Sequence, residues 1–104
     1  MKSAKSIIPQ AWKDEEYPVK VLYDNDGYSV IWGKYHGQKS LGVRWSQGHN
    51  KRGYPGQGKY PTWYVEPEFL ILPILNKLLD MAIQENRKDK IELIVYAIKE
   101  FSEE

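Results

Sequence analysis

The two histidines are the first candidates for chemistry, and their surroundings argue against it. His36 falls in a predicted turn and His49 in a long loop, and neither has a carboxylate near it in the sequence. The chain has no cysteine, so a thiolate nucleophile and thiolate metal ligands are excluded. A metal site or a Ser-His-Asp set would need parts gathered from distant segments. The sequence therefore predicts no enzyme, no metal and no cofactor.

A glycine-rich stretch from Gly53 to Tyr60 has the outline of a phosphate-binding loop. It runs as glycine, four residues, then Gly-Lys. Tyr60 stands where such a loop carries the hydroxyl that holds magnesium, and Pro61 follows where a helix should begin. We therefore expect a Gly/Pro loop with charged ends here, and no nucleotide hydrolysis.

The most distinctive feature is the acid-free segment, residues 27–65. It holds no Asp or Glu, but six Lys and Arg residues and eight aromatic residues. The rest of the chain carries nine basic against fourteen acidic residues, so the two parts have opposite formal charge. A positive segment attracts phosphate or acidic surfaces. Basic residues that follow phosphates, together with flat rings that stack on bases, are how single-stranded nucleic acid is bound.

We expect the nucleic-acid contacts on the outer face of a β-hairpin and on the loop that follows it. The expected contacts are Lys34, Tyr35, Lys39, Arg44, Lys51, Arg52, Tyr54 and Lys59. With His36-Gly37 as the two central turn residues, Tyr35 pairs with Gln38. That register puts Tyr28, Trp32 and Trp45 together on the opposite face, where we expect them in the core.

The periodicity of the chain predicts the elements that position these residues. Residues 19–23, 28–35, 39–45 and 62–65 have strand patterns, and a loop of about fifteen residues precedes the last strand. A helix is expected from Pro67 to about Glu85, with its core stripe on Leu72, Leu75, Leu79, Ala82 and Ile83. A second helix is expected to be capped by Asp89.

These elements predict an α+β fold, with an antiparallel sheet of about four strands and two C-terminal helices on one face. Residues 1–17 are expected to be an N-terminal arm and residues 18–104 a single domain. No apolar leader is evident, and the longest apolar stretch, Phe69–Leu75, is too short to cross a membrane. We therefore expect a soluble cytoplasmic protein.

Two other function classes stay open. The 67–85 helix is apolar on more than one side, which favours a homodimer or an adaptor that binds a protein partner and no nucleic acid. Aromatic faces with Asn and Gln loops also suit sugars or small apolar ligands, although no catalytic pair is visible.

The residues from Tyr28 to Met81 resemble the single-stranded-DNA-binding core of the positive cofactor four family of transcriptional coactivators. The likeness lies in the hairpin from Ser29 to Trp45 and in Gly58-Lys59 before the next strand. It implies a dimer formed through the helix. It also implies that Lys34, Lys39, Arg44 and Lys59 contact the DNA strand.

A second resemblance is closer in its residues. Leu41-Gly-Val-Arg-Trp45, Gly53-Tyr-Pro55 and the stretch from Pro61 to Pro67 look like parts of small uncharacterised bacterial proteins, some carried on integron gene cassettes. This likeness implies a bacterial, accessory protein and no particular activity.

Overall fold

The computed structural model describes residues 8–45, 56–57, 60–61 and 63–103. A short 3-10 turn, Gln10–Trp12, comes first. The strands are β1 (Lys20–Asn25), β2 (Tyr28–Tyr35), β3 (Gln38–Trp45), β4 (Gly56–Gln57), β5 (Tyr60–Pro61) and β6 (Tyr64–Val65). The helices are α1 (Glu68–Gln84) and α2 (Lys88–Ser102). The predicted α+β class, with a four-stranded antiparallel sheet followed by two helices, is confirmed.

Both tight turns of the sheet have the backbone geometry that their sequences favour. Asp26 and Gly27 have φ values of 53° and 80°, and His36 and Gly37 have φ values of 50° and 83°. Two consecutive positive φ angles make a type I′ turn, whose twist matches that of the flanking strands. Asp and Gly, and to a lesser degree His, tolerate this region of φ/ψ space. The turns therefore fix the register of β1 on β2 and of β2 on β3.

The register of the central hairpin is the predicted one. Tyr35 pairs with Gln38, Trp32 with Leu41 and Tyr28 with Trp45. The four-stranded sheet has the order β1-β2-β3-β6, while β4 and β5 form a separate two-stranded ribbon inside the segment predicted as a long loop. Because β6 pairs with Gly42 and Val43, it extends the sheet on the far side of β3 from β1.

The helix α1 continues through Pro73, and its core face is rotated from the predicted one. The buried positions are Ile71, Leu75, Leu78 and Ala82, whereas the expected core residues Leu72 and Ile83 are exposed. Residues 69–75 of α1 are all apolar, so the hydrophobic pattern of this half of the helix does not distinguish the face that meets the sheet.

The expected cap of α2 is also wrong. Arg87 is the N-cap residue, and Asp89 lies inside the first turn, where it accepts hydrogen bonds of 3.4 Å from the Arg87 side chain.

The sheet is covered on both faces. The helices bury one face, in a core that contains Leu22, Val30, Trp32, Leu41, Val43, Leu75 and Ile94. A second, smaller cluster lies on the outer face and contains Trp12, Ile31 and Trp63. Trp12 belongs to the segment expected to be an arm, and its side chain is fully buried.

Candidate binding surfaces

The outer face of the hairpin, where nucleic-acid contacts were expected, is covered by Trp12. A Cβ atom at Gly42 would stand 2.9 Å from Trp12 Cζ2 and Cη2, and one at Gly33 would stand 3.5 Å from Trp12 Cε3. The indole therefore spans the strip of bare backbone that these two glycines leave on β2 and β3. The His36 N–H donates to the Ala11 carbonyl at 2.8 Å, which holds the covering segment on the hairpin.

Two of the expected contacts are built into this covered face. Arg44 is only 1% exposed, and its guanidinium carbon lies 5.9 Å from the centre of the Trp63 ring. Burial lowers the pKa of the Arg44 side chain. Tyr35 is half-buried, and its ring centre lies 5.3 Å from that of Trp12. In this arrangement Arg44 packs inside the protein, out of reach of a phosphate in solution.

The two expected lysines on the hairpin contact residues of the protein itself. Lys34 Nζ lies 4.9 Å from the centre of the Tyr17 ring, a cation–π distance. Lys39 Nζ lies 3.4 Å from the Glu100 carboxylate and donates to the Glu100 carbonyl at 3.1 Å. Both lysines therefore help to join the hairpin to the N-terminal segment and to α2.

Tyr17 is the centre of this junction, a role that the sequence pattern did not predict. Its hydroxyl accepts a hydrogen bond of 2.9 Å from Trp32 Nε1 and donates one of 2.8 Å to Glu100. Burial, followed by the hydrogen bond with Tyr96, raises the pKa of Tyr17 well above that of an ordinary tyrosine. Tyr17 and Glu100 are so far apart in the sequence that only the folded chain brings them together.

The remaining expected contacts, Lys51, Arg52, Tyr54 and Lys59, lie outside the described residues, as does His49. Their assignment as nucleic-acid contacts stays a prediction.

The helix-facing side of the sheet carries an exposed aromatic surface that the sequence did not predict. We call Tyr23, Tyr28, Trp45 and Tyr64 the aromatic row, since the register places one of them on each strand of the four-stranded sheet, all on the same face. The ring centres of Tyr23 and Tyr28 lie 6.4 Å apart, and those of Tyr28 and Trp45 lie 4.7 Å apart. Trp45 and Tyr64 occupy diagonal positions on β3 and β6, within reach of aromatic side chains.

The open end of the aromatic row is formed by Trp45 and Tyr64, which are 48% and 53% exposed. The expectation that Trp45 lies in the core is therefore wrong, while Trp32 is fully buried as expected. Trp45 is the last residue of β3, and it is exposed although Leu41 and Val43 on the same face of that strand are buried. Tyr28 is half-buried, and burial, followed by the nearby Glu66 carboxylate, raises its pKa.

A second exposed apolar surface lies on the helix pair. Phe69 is 77% exposed, Ile83 is 56% exposed and Val95 of α2 is 48% exposed. The ring of Phe101 of α2 lines the same cleft as Phe69 and Leu72 of α1, which shows that the two helices meet along this side.

Among the described residues, no group of three or more His, Asp or Glu side chains is placed to hold a metal ion. None of the described helices is both long and apolar enough to span a bilayer. Comparison of the chain with family models, curated proteins and solved structures gave no match.

Proposed function

We propose that this chain is a non-catalytic binding protein that captures single-stranded nucleic acid on the aromatic row. The observation that carries the proposal is the pair of exposed rings, Trp45 and Tyr64, on the same face of the sheet as Tyr28. Exposed rings on a sheet let successive bases stack regardless of sequence, because every base has a flat π-face.

The charge around the aromatic row supports the same ligand. The row lies in or next to the acid-free segment, and Lys51 and Arg52 follow Trp45 within a few residues. Lys77 of α1 adds to the positive charge around the aromatic row. α2 lies over β1 and α1 over β3, and Lys77 projects, exposed, from the flank of α1 opposite Leu72 and Ile83. Since α1 is the helix that packs on β3, which carries Trp45, we place Lys77 among the proposed phosphate contacts.

The proposed site differs from the expected one in its hairpin residues. The proposal leaves out the four hairpin residues Lys34, Tyr35, Lys39 and Arg44 and adds Trp45, Tyr64 and Lys77. It retains Lys51, Arg52, Tyr54 and Lys59 as predicted contacts. A charge reversal at Arg44 would disturb the covered face beside Trp63, so it would not test binding.

Truncation of the two exposed rings tests the proposal. Trp45→Ala with Tyr64→Ala should weaken binding of a fluorescein-labelled oligo-thymidine, measured by anisotropy, by about 5- to 150-fold for each stacked base lost. Phe69→Ala is the matched control, since it truncates an exposed ring outside the aromatic row. Equal affinity for the double variant and the wild type would refute the proposed site.

A further inference from the structure

A cavity of about 150 Å³ lies between the edge strand β1 and the two helices, and we call it the β1 cavity. All three elements supply its apolar floor, and the buried residues of that floor are Leu22, Leu78, Ala82 and Ile94. An apolar cavity of about this volume holds a molecule the size of benzene. The β1 cavity shares Tyr23 with the aromatic row, whose open end, Trp45 and Tyr64, lies on the strands at the other edge of the sheet.

The charged residues that line the β1 cavity are of both signs. There are four of them: Asp24, Glu85, Arg87 and Lys90. Arg87 forms an ion pair of 3.4 Å with Asp89. Asp24 accepts a hydrogen bond of 2.8 Å from the Ser29 hydroxyl. Glu85 is exposed and takes part in no ion pair among the described residues.

The Lys90 ammonium is fixed at the edge of β1, where Nζ donates to the Val21 carbonyl at 3.0 Å. A lysine ammonium has three N–H donors. The bond to Val21 is the one hydrogen bond that Lys90 Nζ makes to the part of the chain that the structure describes, so two donors remain for a ligand. A carboxylate placed beside Lys90 would accept charge-assisted hydrogen bonds.

The mixed charges of the β1 cavity select a ligand that itself carries both signs. A ligand with a single charge would meet a like charge there, whichever sign it carried, and like charges in contact are costly. A dipolar molecule can place its carboxylate beside Lys90 and its ammonium beside Glu85 and Asp24.

We propose that the β1 cavity binds a small apolar α-amino acid, such as leucine or valine, with its side chain on the apolar floor. The side chain of either amino acid is smaller than benzene and fits the volume, whereas the indole of tryptophan is larger. This site goes beyond the proposed nucleic-acid function, and neither depends on the other.

Three related ligands test which groups are recognised. Isothermal titration calorimetry of the wild type with L-leucine should show saturable binding. Isoamylamine is leucine without its carboxylate, and it should bind about 10- to 150-fold more weakly because it makes no charged hydrogen bond to Lys90. Isocaproate is leucine without its ammonium, and it should also bind more weakly, since its carboxylate then faces Glu85 and Asp24 with no compensating charge.

Two variants test the residues. Lys90→Met removes the ammonium and should weaken L-leucine binding by about 10- to 150-fold. Glu85→Gln should weaken it by about two- to fivefold, since a solvent-exposed ion pair contributes less. Lys88→Met is the matched control, because it makes the same chemical change at an exposed lysine outside the cavity lining, and it should bind like the wild type. Circular dichroism checks that Lys90→Met is folded, and Glu85→Gln alters only an exposed side chain.

Four results would overturn the inference. They are a wild type with no saturable binding of L-leucine or L-valine, single-charge ligands that bind as tightly as L-leucine, a Lys90→Met variant that binds like the wild type, and a Lys88→Met variant that is weakened as much as Lys90→Met. The Trp45→Ala, Tyr64→Ala double variant should bind L-leucine like the wild type, because neither ring lines the β1 cavity. The amino-acid site and the nucleic-acid site can therefore fail separately.

Discussion

Trp12 lies against the backbone of Gly42, with two of its ring carbons 2.9 Å from the position that a Cβ atom would occupy. Contact this close requires that residue 42 have no side chain. Gly42→Ala should therefore displace the indole and destabilise the protein by about 1–3 kcal/mol in urea unfolding. In a Trp12→Ala background the same change should cost clearly less, because the clashing ring is gone. An equal cost in both backgrounds would show that the ring is not the source of the effect.

Removal of the Tyr17 hydroxyl should destabilise the fold, because it leaves the indole N–H of the fully buried Trp32 without its acceptor. We expect Tyr17→Phe to lower the free energy of unfolding by about 1–3 kcal/mol. Tyr64→Phe is a suitable control, since it makes the same chemical change at an exposed ring and should leave stability near that of the wild type. A Tyr17 variant as stable as this control would rule out the proposed role of the hydroxyl.

The Glu100 contacts predict an acid-sensitive contribution to stability. The hydrogen bond from Tyr17, followed by the charge of Lys39, holds the pKa of Glu100 below its usual value. A carboxylate with a lowered folded-state pKa stabilises the fold above the unfolded-state value, about 4.3 for glutamate, and loses that contribution as the pH falls through the lower folded value. The stability difference between the wild type and Glu100→Gln should therefore be full at neutral pH. It should shrink below about pH 4, as followed by urea unfolding at each pH. A difference that stays constant with pH would contradict the assignment.

Lys77 tests the electrostatic side of the aromatic row. Lys77→Glu should weaken binding of oligo-thymidine and reduce the salt dependence, since each phosphate contact on a single strand contributes a slope of about −0.7 in log K against log salt. Lys13→Glu makes the same charge change at an exposed site in the N-terminal segment and serves as the matched control. Should both variants bind equally, Lys77 is not a phosphate contact.

The central hairpin could be predicted from the sequence because its signals are local. Asp26-Gly27 and His36-Gly37 favour tight turns, and the alternation around them admits one register that groups Tyr28, Trp32 and Trp45. The prediction of which residues share each face of the hairpin is therefore confirmed.

What covers each face could not be predicted in the same way. Trp12 and Gly42 are far apart in the sequence, and the site that Gly42 opens on the outer face becomes visible only when the N-terminal segment folds back. The one available signal was the pair Gly33 and Gly42, because glycines within strands often mark a close approach by another group.

The exposed end of the aromatic row could not be predicted for a similar reason. Trp45 is exposed although Leu41 and Val43 on the same face are buried, and the all-apolar residues 69–75 of α1 give no periodicity from which the position of the helix over that face could be predicted. The sequence shows many aromatic and basic residues in this segment, but not which face of the sheet leaves its aromatic rings exposed.

The most direct test of the nucleic-acid proposal uses the tryptophans themselves. Trp12, Trp32 and Trp63 are buried, so Trp45 is the only one of the four tryptophans that a stacking base can reach. Titration with oligo-thymidine at low and high salt should quench the fluorescence saturably, with weaker binding at high salt, and the quenching should vanish in Trp45→Phe. Fluorescence that is unchanged by oligo-thymidine at low salt, or quenching that persists in Trp45→Phe, would contradict the proposal.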